Sequence, residues 1–184
     1  MYFQYNWNQG RSHLRASGIL RTMNYYDNTS MNTQTELGWG AMLSGNIALS
    51  KSASFFGQVV YGEGIENYIQ DLNGNGYDLV SDPNRLGRLQ TLPAMGWMAG
   101  LQVNFTRNWQ MNAAYSQVSV WDKNDYFAQA PDAYRLSQYI VGNLFYRISP
   151  AFNVGVEYLY GTRKNVNHEL GHANRAQMMV QFNF

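Results

Sequence analysis

The sequence predicts an all-β fold, an antiparallel transmembrane β-barrel, and three observations support this prediction. Apolar and polar residues alternate along most of the chain, with the period of two that is typical of strands. Only 14% of the 184 residues are charged while 15% are aromatic, so much of the surface is not expected to face water. Short and longer connections also alternate, as they do between the two rims of a membrane barrel.

The alternation is clearest at the C-terminus and can be followed back to the N-terminus. One face of the last segment carries Ala176, Met178, Val180, Phe182 and Phe184. The residues between them are mostly polar. The same alternation predicts nine strands, over residues 2–7, 12–26, 36–49, 53–62, 94–106, 109–121, 134–148, 151–163 and 175–184.

The connections between these strands predict which rim is which. Short turns are expected near residues 8–11, 50–52, 106–108 and 149–151, and longer loops near residues 27–34, 64–93, 122–133 and 164–172. Short turns are typical of the periplasmic rim, and longer loops of the outer rim. Residues 1–184 are therefore expected to form one barrel domain. Its longest loop, residues 64–93, could fold into the pore or cover it from outside.

The hydropathy and charge of the chain exclude several other classes. The mean hydropathy is −0.42, and no apolar run approaches the roughly 18 residues that a membrane-spanning helix needs. A soluble β-sandwich or lipocalin-like barrel would carry charge on its outer face, whereas here the polar face is mainly Gly, Ser, Asn and Gln. The absence of cysteine excludes disulfides, and the dispersed basic residues with a net charge of +1 do not suggest nucleic-acid binding.

The number of strands suggests part of a larger barrel. Bacterial single-chain barrels have an even number of strands and are closed, whereas this count is nine. The first residues also lack the basic and apolar regions of a secretory signal. We therefore expect the C-terminal half of a barrel of about sixteen strands. If the first segment is not a strand, the other eight could close into a small filled barrel, a structural or adhesive surface protein that binds through its outer loops.

Three stretches resemble the C-terminal half of DcaP-like porins. They are Tyr61–Ile69, His13–Gly18, and Glu157–Lys164 continued through His172–Arg175 to Phe184. The segments Tyr-Gly-Glu-Gly and Tyr-Gly-Thr-Arg are the more specific parts. The resemblance implies a sixteen-stranded, homotrimeric porin in the outer membrane, surrounded by lipid and lipopolysaccharide, that admits small anionic solutes such as dicarboxylates. The N-terminal half of that family's barrel has no counterpart in this sequence.

The sign of the charges on the polar face predicts a preference for anions. In the predicted registers that face carries Arg15, Arg21, Arg135, Arg147, Arg163 and Arg175, and no Arg or Lys within a strand lies on the lipid face. Only Glu36 and Glu157 oppose them. Fixed positive charge in a channel raises the local concentration of anions. We expect Arg15, Arg135, Arg147 and Arg175 to face the solute. The arginines could instead pair with carboxylates and brace the wall, as Arg163 could with Glu157.

Two other kinds of site receive little support. Asp71, Asn73, Asn75, Asp78 and Asp82 have the spacing of a calcium loop, but helical flanks and a final Glu are lacking. A polar loop with Asn-Gly turns explains the same residues, so neither metal nor cofactor is predicted. The three histidines are scattered and no Gly-x-Ser-x-Gly motif occurs, so no enzyme is predicted.

Overall fold

The computed structural model describes all residues from Met1 to Phe184, and nine long antiparallel strands dominate it. Each predicted strand is present, within a few residues at either end. Two further strands, each of two residues, pair only with each other. The strands are β1 Tyr2–Gln9, β2 Ser12–Asp27, β3 Asn32–Ala48, β4 Ala53–Glu63, β5 Val80–Ser81, β6 Leu89–Gln90, β7 Pro93–Asn104, β8 Trp109–Val120, β9 Tyr134–Arg147, β10 Phe152–Asn165 and β11 Leu170–Phe182.

The nine strands are hydrogen-bonded in chain order, and only the hairpin β5–β6 is left out of the sheet. Each strand pairs with the next, so that Arg15 of β2 lies opposite both Asn6 of β1 and Ser44 of β3. Directly opposed residues point to the same side of a sheet. The registers therefore define two continuous faces from β1 to β11. We call them the polar face, which carries Arg15, and the apolar face.

The sheet is open, because β1 and β11 lie at its two edges and do not pair with each other. The first predicted segment is a full strand of the sheet, paired with β2 from Tyr2 to Gln9. The alternative of eight strands that close by themselves is therefore wrong for this chain. An antiparallel sheet curls into a barrel only when its edge strands meet, and here each edge keeps a row of unpaired backbone groups.

Large apolar side chains stay exposed on the apolar face. Leu37, Ile140 and Val156 are each more than half exposed although they lie within long strands. Monomeric soluble proteins rarely expose contiguous apolar patches of this extent. The alternation of such residues with polar ones fits strands that contact hydrocarbon on one side.

The buried core lies on the polar face, beneath two loops. Residues 64–92 and 121–133 fold over the same end of the sheet and contain the short helical turns Glu66–Tyr68, Gln70–Leu72 and Tyr126–Gln129. None of the helices has the length and apolar character needed to cross a membrane. The core consists of Ile69, Leu72, Tyr77, Val80, Leu92, Ala94, Val118, Val120, Phe127, Ala133 and Tyr134.

Two of the four predicted long loops are short turns. Strand pairing continues to Asp27 opposite Asn32, and the Asp27 carboxylate accepts hydrogen bonds from the Thr29 N–H at 2.8 Å and the Ser30 hydroxyl at 2.7 Å. The connection between β10 and β11 is likewise only residues 166–169. Sequence alternation weakens near the strand ends, so backbone pairing extends further than the side-chain pattern indicates.

The extension of β10 also corrects the predicted distribution of lysine. Lys164 lies within this strand, opposite Leu136 of β9 and Leu170 of β11, and therefore on the apolar face. It is the next to last residue of β10, at the rim. A lysine near the end of a membrane strand can extend its ammonium to the interface, and its cost there falls to about 0–1 kcal/mol.

Candidate functional site

A row of three amide side chains and one carboxylate, joined by hydrogen bonds, crosses the polar face on four strands. Asn112 Nδ2 donates to Asn143 Oδ1 at 2.7 Å, and Asn143 Nδ2 donates to Glu157 Oε2 at 3.2 Å. Gln177 Nε2 donates to Glu157 Oε1 at 2.6 Å. These residues are direct cross-strand partners, so the strand register itself assembles the row. The result is a hydrophilic wall whose side chains are held in place by one another.

Of the eight predicted pore-lining residues, seven are placed on the polar face by the registers, and Arg135 lies at a β-bulge two residues before the polar-face residue Ser137. Six are arginines and two are glutamates, and both edges of the sheet contribute. Four of the arginines have no carboxylate within 4.0 Å, namely Arg15, Arg135, Arg147 and Arg163. Each of the four is exposed. The guanidinium charge on this face is therefore only partly neutralised.

Neutral groups support three of these four arginines. Arg15 Nε donates to Asn6 Oδ1 at 3.1 Å. The guanidinium of Arg135 lies 5.4 Å from the ring centre of Phe127, and that of Arg163 lies 5.2 Å from the ring centre of Tyr134. Amide oxygens and aromatic faces orient a guanidinium without cancelling its charge.

Glu157 pairs with a different arginine from the one that the sequence suggests. Its Oε1 lies 4.0 Å from Arg175 Nη2, whereas Arg163 donates to Asn165 Oδ1 at 3.0 Å. Because the Arg175 side chain is 62% exposed and the separation is long, this ion pair contributes little. Glu36 is half-buried on β3 and forms no ion pair within 4.0 Å.

Arg21 differs from the other arginines because it holds a loop. Its Nη1 lies 2.9 Å from Asp78 Oδ2 and donates to the Gly64 carbonyl at 3.3 Å. Its guanidinium also lies 5.5 Å from the ring centre of Tyr68. All three partners belong to the loop between β4 and β7. Arg21 therefore connects the wall to this loop and is not free for another anion.

Residues 64–93 fold onto the polar face of the sheet. We call residues 64–72 the inward segment. A Cβ atom on Gly40 would lie 2.7 Å from Ile65 Cδ1, and one on Gly38 would lie 2.7 Å from the Gly64 carbonyl oxygen. A Cβ on Gly62 would lie 2.8 Å from the same Ile65 atom. These three wall glycines, the glycine seat, leave the room that the inward segment occupies.

Polar contacts fix the remainder of the loop to β9. The Ser137 hydroxyl donates to Asp71 Oδ2 at 2.6 Å, and the Tyr134 backbone N–H donates to the Tyr77 hydroxyl at 2.7 Å. Ser137 and Tyr134 are both almost fully buried by the loops. The loop thus spans the polar face from β2, through Arg21, to β9.

Two carboxyl groups of this loop have pKa values that are shifted in opposite directions. Burial, and then the adjacent Asp78, raise the pKa of Glu66 to about 8. Burial alone would also raise the pKa of Asp78, but the hydrogen bond from the Asn67 N–H and the adjacent Arg21 guanidinium outweigh it and lower that pKa. At neutral pH the pair therefore consists of a neutral Glu66 and an ionised Asp78.

Solved structures of outer-membrane channels share this arrangement of strands. The outer-membrane channel DcaP of Acinetobacter baumannii aligns with a TM-score of 0.79 at 19% identity, over 100% of this chain and 50% of that one. The NanC porin aligns at 0.54 with 12% identity, over 100% and 92% of the two chains. The CymD monoaromatic hydrocarbon channel aligns at 0.55 with 10% identity, over 99% and 50%. This chain has the fold of half an outer-membrane channel barrel.

The fold comparison confirms the resemblance to DcaP-like porins at the level of structure. The half-barrel spans about half the length of the DcaP chain, which agrees with an open nine-stranded sheet. No protein-family profile matches the sequence, and no curated protein sequence matches it significantly. The shared fold is that of an outer-membrane β-barrel.

The half-barrel does not bring the residues of the candidate calcium loop together. Asp71 binds Ser137, Asp78 binds Arg21 and Asp82 binds Arg85. Asn75 Nδ2 donates to the Asp71 carbonyl, so this amide caps a turn. No group of three or more His, Cys, Asp or Glu is placed to hold a metal ion. The spacing predicted a loop of oxygen ligands, but the carboxylates have protein partners in separate places.

Sequence reasoning did not find the glycine seat or Glu66. Glycines at polar-face positions of neighbouring strands, such as Gly38, Gly40 and Gly62, are the signal that could have located the seat. Isolated glycines within a strand pattern can indicate a close backbone approach. Nothing in the local sequence around Glu66 distinguishes it from a solvated loop acid, because its burial depends on distant residues.

Proposed function

We propose that this chain forms part of the wall of a water-filled outer-membrane pore through which small hydrophilic solutes, preferably anions, diffuse passively. The observation that carries this proposal is the set of four arginines on the polar face that have no carboxylate partner within 4.0 Å. The fold shared with outer-membrane channels supports the pore, and the uncompensated charge supports the selectivity. No catalytic role is proposed.

Closure of the barrel requires further strands at β1 and β11. Both edges carry backbone N–H and C=O groups without partners in this chain. Each such group costs several kcal/mol in hydrocarbon, so a membrane barrel must be closed. The half-length coverage of DcaP supports a complete barrel of about sixteen strands in which this chain contributes the C-terminal portion.

The positions of two arginines support a preference for dicarboxylates. Arg163 lies opposite Ser137, and Arg135 is two residues further along the same strand. The two residues are therefore near neighbours, with Arg135 at the β-bulge where the register shifts. Diagonal positions on a regular strand pair have Cβ atoms roughly 7–8 Å apart or somewhat less. Two cations at such a separation complement a solute with two anionic groups better than one with a single charge.

The proposed assembly is a homotrimer embedded in outer-membrane lipid and lipopolysaccharide. The DcaP-like resemblance motivates the trimer, and the exposed apolar face supports the contact with lipid. Native mass spectrometry of the complete protein in detergent, and chemical crosslinking in membranes, measure the oligomeric state. A monomer in both would overturn the trimer while leaving the pore untouched.

The pore and its selectivity are tested by reversal potentials of single channels in a salt gradient. In the complete protein, Arg15→Gln, Arg135→Gln, Arg147→Gln, Arg163→Gln and Arg175→Gln, combined, are expected to shift the reversal potential away from the anion side. Arg85→Gln is the matched control, because Arg85 is paired with Asp82 in the loop. Unchanged anion preference in the combined variant would exclude the arginine mechanism, and the absence of any conductance would exclude the pore.

A further inference from the structure

Glu66 is a buried acid in the inward segment that no other group of the protein neutralises. The residue is 1% exposed, and neither Oε1 nor Oε2 has a hydrogen-bond partner. Burying an ionised carboxylate without a partner costs several kcal/mol. The segment therefore lies on the wall at a lower cost while Glu66 carries its proton than when it is ionised.

The donors near Glu66 are already engaged by Asp78. The Asp78 carboxylate accepts the Asn67 N–H at 3.2 Å, the Asn67 Nδ2 at 2.6 Å and the Arg21 guanidinium at 2.9 Å. The inward segment rests on β2, β3 and β4, which contribute the further charged residues Arg21, Glu36 and Glu63. Of these, Glu63 is held by Lys123, and Arg21 by Asp78.

The contact between the segment and the wall depends on close packing. Ile65, the neighbour of Glu66, is 1% exposed and fills the space left by Gly40 and Gly62. Ile65 and Glu66 are adjacent and each is 1% exposed, so the carboxyl group stays shielded from water as long as the segment remains packed. Hydration of Glu66 therefore requires the segment to move off the wall.

We propose that Glu66 is a positioning residue for the inward segment: its protonated form lets this segment rest on the glycine seat, and its ionisation releases the segment from the wall. This inference rests on the proposed pore function. The loop then has a docked state and a released state, and the protonation of Glu66 sets the equilibrium between them.

The direction of the pH dependence follows from the two protonation equilibria. The pKa of Glu66 is about 8 in the docked state and has its ordinary value of 4.5 when the side chain is hydrated. Between these values the docked state binds more protons than the released state. The contribution of Glu66 to docking is therefore fully present below about pH 4.5, weakens as the pH rises, and is lost above about pH 8. The docking constant falls about tenfold per pH unit within this window.

Hydrogen exchange of backbone amides measures docking whether or not the protein conducts. The Tyr68, Ile69 and Leu72 amides donate to the carbonyls of Ile65, Glu66 and Ile69 within the segment, so they report its release. In the complete protein, their protection factors, corrected for intrinsic exchange, are expected to fall about tenfold per unit between pH 5 and pH 7.

Two variants separate the proposed role from a general effect of pH. Glu66→Gln keeps the shape of the side chain without its titration, and is expected to keep protection constant over this range. Glu169→Gln, at an exposed turn acid outside the site, is expected to behave as the wild type. The same fall with pH in Glu66→Gln would overturn the proposal. If this variant does not assemble, wild-type protection that is constant between pH 5 and pH 8 would overturn it.

Single-channel recording links the loop to the pore. Wild type and Glu169→Gln are expected to show more frequent current fluctuations as the pH rises from 5 to 8, and Glu66→Gln is not. Equal fluctuations in all three proteins would exclude a link between the segment and conduction. A complete lack of current would contradict the proposed function, while the exchange data would still decide the role of Glu66.

Discussion

Arg21 on β2 and Asp78 in the loop between β4 and β7 form an ion pair of 2.9 Å that spans 57 residues of sequence. Both side chains are less than a third exposed. The pair joins the wall of the sheet to the loop that covers it. Arg21 therefore differs from the other arginines of the polar face, because its charge holds the loop.

Removal of this ion pair is expected to loosen the loop without unfolding the sheet. Arg21→Gln leaves the Asp78 carboxylate partly buried with one charged donor fewer, which costs about 1.5–3 kcal/mol. Amide protection in the inward segment should fall by about tenfold to a hundredfold, since about 1.4 kcal/mol corresponds to a factor of ten. Hydrogen exchange measures the change.

Arg85→Gln is the control for this experiment. Its ion pair with Asp82 lies in the same loop, but the Arg85 side chain is 70% exposed. Exposed pairs typically contribute about 0.2–1 kcal/mol, so the inward segment should keep its protection. Equal losses in both variants would contradict the anchoring role of Arg21.

Acid is expected to release the loop by a second route. The pKa of Asp78 is lowered in the docked state despite its burial, because the Asn67 N–H and the Arg21 guanidinium favour the ionised form. The docked state therefore binds fewer protons than the released state near the ordinary value of 3.8. This contribution is present above that pH and is lost as the pH falls through the pKa of docked Asp78.

Asp78 favours docking as the pH rises, whereas Glu66 favours it as the pH falls. Amide protection of residues 64–72 should therefore pass through a maximum near pH 4–5. Exchange measured from pH 2.5 to pH 8 in the complete protein tests this shape. A protection factor that keeps increasing toward the lowest pH would show that Asp78 does not contribute to docking.

Gly62 is expected to tolerate no side chain. A Cβ at this position would lie 2.1 Å from the Trp39 carbonyl oxygen, which belongs to the backbone of the neighbouring strand. Gly62→Ala should therefore displace β4 from β3 and cost about 1–3 kcal/mol or more. Gly142→Ala on β9 is the matched control, because a Cβ atom there would have no other atom within 4 Å. Urea unfolding in detergent or vesicles measures both.

The two faces of one strand are expected to respond differently to arginine. Val156 lies on the apolar face of β10, opposite Met178, and Leu159 lies on the polar face of the same strand, opposite Arg175. Val156→Arg should cost about 2–4 kcal/mol in the membrane, or abolish assembly. Leu159→Arg should cost less, about 0.2–1 kcal/mol, because the new cation faces water but lies opposite Arg175. Yields of heat-resistant folded protein, measured by electrophoretic mobility, distinguish the two. Equal tolerance would mean that the apolar face does not contact lipid.

The amino-acid sequence by itself determined the nine strands, their two faces and the chemistry of each face. Alternation has a period of two in an extended chain, so the side on which Arg147 or Val156 lies follows from counting along the strand. For the same reason the six arginines could be assigned to one face. The positions of the short turns followed in the same way, since polar and glycine residues interrupt the pattern.

Only the tertiary structure decided which arginines are free, where the long loop lies and why Glu66 is neutral. Arg21 and Arg163 both lie on the polar face, but Asp78 approaches only Arg21. The contacts between Ile65 and Gly40 and between Ser137 and Asp71 join residues far apart in the chain. Burial and pairing energies depend on these distant partners, and local periodicity carries no information about them.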